Sequence, residues 1–203
     1  MSNINNQLKS ELKKLGYKSS QFNRFQLLLI NSGLVLNLDI STYANPEFSW
    51  QQMEQIIFGL LKNLDVSKYA DPKFNAEQME QIRYGLKGGV DINIYADPKF
   101  SADQMGNMRN QLMSAKLEEQ GINLKDLDNA QQVVVYYGFI KGLDVSVYAK
   151  LEYSEKQMWE IEQGLEKGLD VSKYAKPEYD WKQMKNIRKK MLAEITKKPI
   201  KQV

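Results

Sequence analysis

A short block of sequence recurs at a fixed interval, and it constrains the fold more than any other feature of the chain. Asp39, Asp65 and Asp91 are spaced 26 residues apart, and Asp144 and Asp170 repeat the same spacing. Nearly the same text surrounds each aspartate: LDISTYANPEF, LDVSKYADPKF, VDINIYADPKF, LDVSVYAKLEY and LDVSKYAKPEY. A period of this length is typical of repeat architectures, in which each unit buries its apolar face against its neighbours.

Each repeat contains the signals that start and stop a helix. Asn75 stands at the N-cap, Gln78 follows in the capping-box position, and Phe74 and Met79 form a hydrophobic staple around them. Gly89 then ends the helix. The same order returns at Phe48, Ser49, Gln52 and Met53, at Phe100, Ser101, Gln104 and Met105, at Tyr153, Ser154, Gln157 and Met158, and at Tyr179, Asp180, Gln183 and Met184. The next aspartate suits the N-cap of a second, shorter helical turn.

Two kinds of residue recur inside this pattern and predict packing. A glycine lies inside four of the predicted helices, at Gly59, Gly85, Gly138 and Gly164. Because a mid-helix glycine destabilises a helix by about 0.5–1 kcal/mol relative to alanine, its recurrence predicts close approach between helices of neighbouring units. Two aromatic columns predict interior packing between units: Tyr43, Tyr69, Tyr95, Tyr148 and Tyr174, and Phe48, Phe74, Phe100, Tyr153 and Tyr179.

The chain also contains a larger duplication. Gly33 and Gly138 are 105 residues apart, as are Asp39 and Asp144, and weaker copies of the helix text precede both aspartates. We therefore predict an all-α fold, a curved solenoid of about seven units, each made of one helix and one short helical turn. Residues 1–112 would form the first half, residues 113–195 a second half docked on the first, and residues 196–203 a basic tail.

Composition removes several classes of chemistry. The chain has no cysteine and no histidine, so thiolate nucleophiles, cysteine-based metal sites and the commonest general base are excluded. No phosphate-binding glycine loop, hydrolase motif or EF-hand spacing is found, which indicates no cofactor and no metal. Five aspartates at one repeated position indicate helix caps rather than one catalytic centre. No apolar run is long enough for a membrane span, and we expect a cytoplasmic protein that is not an enzyme.

The positions that vary between repeats are the candidates for partner binding. In the slot four residues after the methionine stand Arg83, Arg109 and Arg188, with Ile57 and Glu162 in the other two units. If this slot faces solvent, successive units present a row of arginines to carboxylates or phosphates. Three tryptophans, Trp50, Trp159 and Trp181, add the large amphipathic side chains that anchor interfaces, although partial burial at unit junctions is the alternative.

Positive charge collects at the C-terminus. From Lys182 onward there are eight cations and a single acid, Glu194. Lys185, Lys189 and Lys190 lie in this segment, which could bind nucleic acid or an acidic protein, or could be a solvated helix end.

The repeated text GL-x-x-GLDVS-x-YADPKF-x-x-x-QM-x-x-IR-x-GL resembles a short helical repeat in uncharacterised proteins of Firmicute bacteria, their phages and mobile elements. The resemblance covers residues 39–111 and 128–192, and it implies a role such as inhibition of a host defence protein. The function expected from the sequence is non-enzymatic binding of a macromolecule, preferably another protein. The alternative is nucleic-acid binding through the arginine row and the basic C-terminus.

Overall fold

The computed structural model describes the backbone of residues 2–197 and the side chains of residues 6–196. Within residues 2–197 it contains no β-strand, and the α-helices are α1 (Ser2–Lys14), α2 (Arg24–Val35), α3 (Trp50–Leu60), α4 (Ala76–Gly88), α5 (Ala102–Glu119), α6 (Asn129–Ile140), α7 (Glu155–Glu166) and α8 (Trp181–Lys197). Short 3₁₀ turns lie between them at Ser19–Gln21, Ile40–Thr42, Val66–Lys68, Ile92–Ile94, Leu124–Asp126, Val145–Val147 and Val171–Lys173. The all-α prediction is confirmed. Most of the expected basic tail, residues 198–203, lies outside the described residues.

The chain forms two compact units, Met1–Arg109 and Asn110–Val203. In the first unit α1 packs on α2, α2 on α3, and α3 on α4. In the second unit α6 packs on α7, and α7 on α8. The boundary between the units lies within α5, the helix in which the sequence also places the boundary between the two halves.

The predicted caps are present. The Asn75 side chain accepts a hydrogen bond from Gln78 N at 2.8 Å, and Gln78 Oε1 accepts one from Asn75 N at 2.8 Å. The Asp65 carboxylate accepts a hydrogen bond from Ser67 N at 3.2 Å and so starts the 3₁₀ turn. Gly89 ends α4 in the left-handed region, at φ 64°. Asp39, Asp65, Asp91 and Asp144 are therefore used as caps, each stabilising a turn by about 1 kcal/mol. Asp170 forms no side-chain capping bond and instead accepts from Ser172 Oγ at 2.6 Å.

The core of each unit follows the apolar stripe of its helices. In the first unit Met53, Ile56, Met79 and Ile82 have no exposed surface. In the second unit the matching residues are Met158, Ile161 and Met184, which are all fully buried and pack in one cluster. Burial of each such side chain stabilises the fold by about 1.5–3 kcal/mol.

The mid-helix glycines make room for tyrosine hydroxyls, which corrects the expectation of helix–helix approach between units. A Cβ at Gly85 would overlap Tyr95 Oη, and the same is true of every glycine in this column. The hydroxyl donates to a backbone carbonyl one turn earlier in the same helix, for example Tyr69 Oη to Gln55 O at 3.1 Å. Each tyrosine comes from the 3₁₀ turn that directly follows its own helix, so the contact lies inside one repeat. Burial raises the pKa of these hydroxyls.

A buried glutamine joins each helix to the next turn along the chain. Gln52 Nε2 donates to Pro72 O at 3.1 Å and to Phe74 O at 2.6 Å, while its Oε1 completes the capping box with Ser49 N. Equivalent bonds to the aromatic residue 22 positions ahead are made by Gln26, Gln78, Gln131 and Gln157. One amide thus caps its own helix and satisfies two carbonyls of the following repeat.

The last helix of this pattern in each unit is different. Gln104 in α5 and Gln183 in α8 are exposed, whereas the five joining glutamines are buried. The aromatic residues before these helices, Phe100 and Tyr179, are half-buried rather than buried like Phe74. No further helix of the same pattern follows within either unit to cover them, as expected for a terminal repeat.

Candidate interaction surfaces

The arginine slot does not face solvent, so the expected row of exposed arginines is wrong. Arg83 and Arg188 are 9% and 8% exposed, and Arg109 is half-buried. Each guanidinium reaches back to the preceding helix, to a residue 28 positions earlier. Arg83 Nε donates to Gln55 Oε1 at 3.0 Å, and Arg109 donates to Gln81 Oε1. The slot therefore carries a bond between adjacent helices.

The strongest of these contacts is a buried ion pair in the second unit. Arg188 Nε and its terminal NH2 nitrogen both donate to Glu160 Oε2, at 2.9 and 2.7 Å. Glu160 is only 6% exposed, so solvent does not screen the pair. The Nε and NH2 donors of Arg188 are used by Glu160 inside the fold. They are therefore not available to bind a carboxylate of a partner.

In α7 the slot that holds arginine in α4, α5 and α8 holds an acid instead. Glu162 is 1% exposed, and its Oε1 accepts a hydrogen bond from Lys141 Nζ at 2.8 Å. Lys141 also donates to Glu166 Oε2 at 2.7 Å. Burial lowers the pKa of Lys141, but the hydrogen bonds to the two glutamates raise it more, so its pKa lies above the ordinary value. Glu162 Oε2 has no hydrogen-bond partner among the described residues.

The three tryptophans lie in different settings. Trp50 is 36% exposed, and its ring lies 5.8 Å from that of Phe25. Trp159 is half-buried, donates to Glu155 Oε1 at 2.9 Å and meets Tyr137 edge-on at 5.5 Å. Trp181 is half-buried at the start of α8. The structure brings none of them together with the arginines in one exposed row.

A surface that the sequence did not single out lies on α2 and α3 of the first unit. We call it the apolar patch, and its exposed members are Phe25, Leu28, Val35, Leu36, Trp50, Phe58 and Leu61. The other exposed large hydrophobic side chains of the described residues are Ile94, Val133, Tyr137, Leu151 and Ile195. Exposed apolar residues scattered singly are normal, but a contiguous group marks an interaction site.

Helical spacing places the patch residues on one side of each helix. Leu28 and Val35 are seven residues apart in α2, and Trp50 and Leu61 are eleven apart in α3, so each pair shares one face. The Phe25–Trp50 ring contact shows that the faces of α2 and α3 adjoin. The exposed apolar faces of the two helices therefore meet near the start of α2 and α3.

Two charged residues lie close to the patch, one beside it and one within it. Arg83 of α4 lies over the Phe58 ring, with Cζ 5.4 Å from the centroid, and also over Tyr84 at 4.6 Å. Glu54 lies one helical turn from both Trp50 and Phe58, is half-buried and forms no ion pair with a described residue. The patch therefore combines exposed apolar side chains with a carboxylate between two of its aromatic residues.

The basic residues predicted at the C-terminus lie in α8. Lys189 and Lys190 are exposed, and Lys185 is half-buried beside Trp181. Lys190 occupies the position that is glycine in the repeated helices, and no tyrosine of a following turn approaches it within the described residues.

The chain matches no protein-family model, and comparison with curated proteins and with solved structures gives no match. No helix among residues 2–197 is long and apolar enough to cross a membrane. The described side chains contain no group of three or more carboxylates that could hold a metal ion. The features of the chain that bear on function are therefore its surfaces, above all the apolar patch and the basic residues of α8.

Proposed function

We propose that the chain is a non-enzymatic protein-binding module and that the apolar patch on α2 and α3 is its binding surface. The observation that carries the proposal is the concentration of exposed apolar side chains on these two adjacent helices. Burying such side chains against a partner removes apolar surface from water, at about 25 cal/mol per Å². Trp50 and Phe58 have the aromatic character of residues that dominate binding energy.

The chemistry of the patch suggests the kind of partner. An apolar surface would cover Leu28 and Leu61, and a basic side chain of the partner would meet the Glu54 carboxylate. Four of the five recurring aspartates support a non-enzymatic role, because the carboxylates of Asp39, Asp65, Asp91 and Asp144 are used as caps. A repeat organisation of about seven helical units is part of this proposal, and the glutamine bonds that join consecutive repeats within each unit support it.

A host defence protein is one partner that we propose, from the resemblance of the repeated text alone. In that case the module would act in the cytoplasm as an inhibitor encoded by a phage or mobile element. The absence of cysteine from the chain is compatible with a reducing compartment.

Affinity capture with matched variants tests the proposal. The patch variant is Leu28→Lys/Phe58→Lys. The control is Ile94→Lys/Leu151→Lys, which places two lysines at exposed apolar positions outside the patch. After nuclease treatment, a protein partner should be retained by the wild type and the control and lost by the patch variant, with all three equally helical by circular dichroism.

Two results would contradict the proposed surface or the proposed kind of partner. Equal capture by the patch variant would show that the partner binds elsewhere. A concentration-dependent dimer in sedimentation that only the patch variant abolishes would show that the patch binds a second copy of the chain.

A further inference from the structure

The helices α7 and α8 carry lysines that the fold does not neutralise, gathered around one aromatic ring. The Nζ atoms of Lys156, Lys182 and Lys185 lie 5.7, 5.7 and 5.6 Å from the centroid of the Trp181 ring. Lys189 extends the group, because Lys182, Lys185 and Lys189 follow one another at three and four residues along one face of α8. We call these four lysines and Trp181 the lysine cluster.

The acids on α7 form no ion pair with the cluster lysines, and each one has a hydrogen-bond partner elsewhere in the unit. Glu155 accepts from the Trp159 indole, and Glu160 pairs with Arg188. Glu162 and Glu166 share Lys141. None of the cluster lysines forms an ion pair with a described residue.

The remaining nearby acid is also occupied. Asp180, directly before α8, accepts hydrogen bonds from the backbone N–H groups of Lys182 and Gln183, at 2.7 and 2.8 Å. The cluster thus presents four positive charges and an aromatic ring, and the neighbouring carboxylates of Glu155 and Asp180 offset only part of that charge.

We propose that the lysine cluster binds single-stranded nucleic acid, with phosphates on the ammonium groups and a base against Trp181. Sequence-tolerant single-strand binding combines positive charge along the backbone with aromatic stacking, and the cluster contains both. A single strand is favoured over a duplex because its bases are free to reach the ring.

An acidic peptide fits the cluster less well. Paired recognition of carboxylates favours the planar fork of arginine, and the arginine of α8 is committed to Glu160. Lysine acts as a point charge, which suits phosphates spaced along a flexible backbone. This inference is independent of the apolar patch, and either surface could exist without the other.

Fluorescence anisotropy with a labelled oligothymidylate of about 15 nucleotides tests the inference. The wild type should bind in low salt, and the logarithm of its affinity should fall with the logarithm of salt concentration with a slope of about −2 to −3, the value for three or four phosphate contacts on a single strand. Lys156→Gln/Lys182→Gln/Lys185→Gln should lower the affinity at least tenfold.

The matched control is Lys9→Gln/Lys62→Gln/Lys68→Gln, which removes the same charge from exposed lysines of the first unit. It should change the affinity less than threefold. Trp181→Leu, which keeps an apolar side chain without a ring, should weaken binding about tenfold if a base stacks there.

Three outcomes would overturn the inference. The wild type could show no binding at low salt, or the two triple variants could lose affinity equally, which would indicate non-specific attraction. The third outcome is that polyglutamate displaces the oligonucleotide at an equal concentration and that the lysine-cluster variant also loses polyglutamate binding. The site would then be one for acidic protein.

Discussion

At the scale of single residues, the tyrosine hydroxyls determine where the helices contain glycine. The hydroxyl of Tyr95 occupies the space of a Cβ at Gly85 and donates to Gln81 O at 3.3 Å. Alanine is normally the better helix residue by about 1 kcal/mol. At Gly85 the overlap of an added Cβ with the Tyr95 hydroxyl should cost more than the gain in helix propensity, because the hydroxyl is buried.

We expect Gly85→Ala to lower the free energy of unfolding by about 1–3 kcal/mol, the usual effect of overpacking a core. Adding Tyr95→Phe to it should restore part of the loss, because the overlapping atom is removed. Gly106→Ala is the control, since a Cβ there meets only the end of the Gln81 side chain. Urea unfolding of the wild type, Gly85→Ala, Tyr95→Phe, the double variant and Gly106→Ala measures the effect. Strictly additive losses in the double variant would contradict the steric explanation.

The buried Arg188–Glu160 pair provides a second test at this scale. Arg188→Met leaves the Glu160 carboxylate buried without its cation, and should destabilise the protein by about 3–5 kcal/mol. Arg188→Met/Glu160→Leu replaces both partners by apolar side chains and should recover most of that loss. Thermal unfolding of both variants checks this. A stability loss within 1 kcal/mol for the single variant would show that the guanidinium is solvated, as the sequence alone suggests.

At the scale of the elements, the joining glutamines explain why successive helices keep one register. Gln52 is fixed to its own helix through Ser49 N and to the next turn through the carbonyls of Pro72 and Phe74. Gln183 makes the same capping bond with Asp180 N at 2.8 Å but is exposed. Comparing Gln52 with Gln183 therefore separates the stability that comes from capping from the stability that comes from joining two repeats.

We expect Gln52→Glu to lower the free energy of unfolding by about 2–4 kcal/mol at pH 7, because a carboxylate has no N–H to donate and repels the two carbonyl oxygens. Gln183→Glu should change it by less than about 1 kcal/mol. Chemical denaturation of the two variants compares them. Equal losses would mean that the amide acts only as a cap.

The elements could be predicted from sequence because their signals are local. Asn75 and Gln78 lie three residues apart and report a helix start without any tertiary information. The environment of Arg83 depends on Gln55, 28 residues earlier, and nothing in the spacing tells which side of α4 a neighbour covers. The apolar patch was missed for the same reason, since Leu28 and the buried Ile30 look alike in a helix with few polar residues.

At the scale of the whole molecule, five buried tyrosine hydroxyls make stability depend on alkaline pH. Burial raises their pKa above the ordinary value of about 10, which an unfolded chain retains. Above pH 10 the unfolded chain loses these protons while the folded chain keeps them, so unfolding becomes more favourable as pH rises.

The denaturation midpoint should therefore be steady from pH 8 to 9.5 and fall progressively above pH 10. Tyr69→Phe should reduce the steepness of that fall, because one titrating group is removed. Denaturant titrations at stepped pH values measure it. A midpoint independent of pH up to 11.5 would show that the hydroxyls are accessible to solvent in the folded protein.

The central claim is that this helical chain is a binding module that uses the apolar patch. The most direct measurement is site-specific photo-crosslinking, with a photoreactive amino acid at Leu28 inside the patch or at Leu151, an even more exposed apolar position outside it. The account predicts a protein adduct from position 28, mapped by mass spectrometry to one partner surface, and none from position 151. The same adduct at equal yield from both positions, or from position 151 alone, would contradict it.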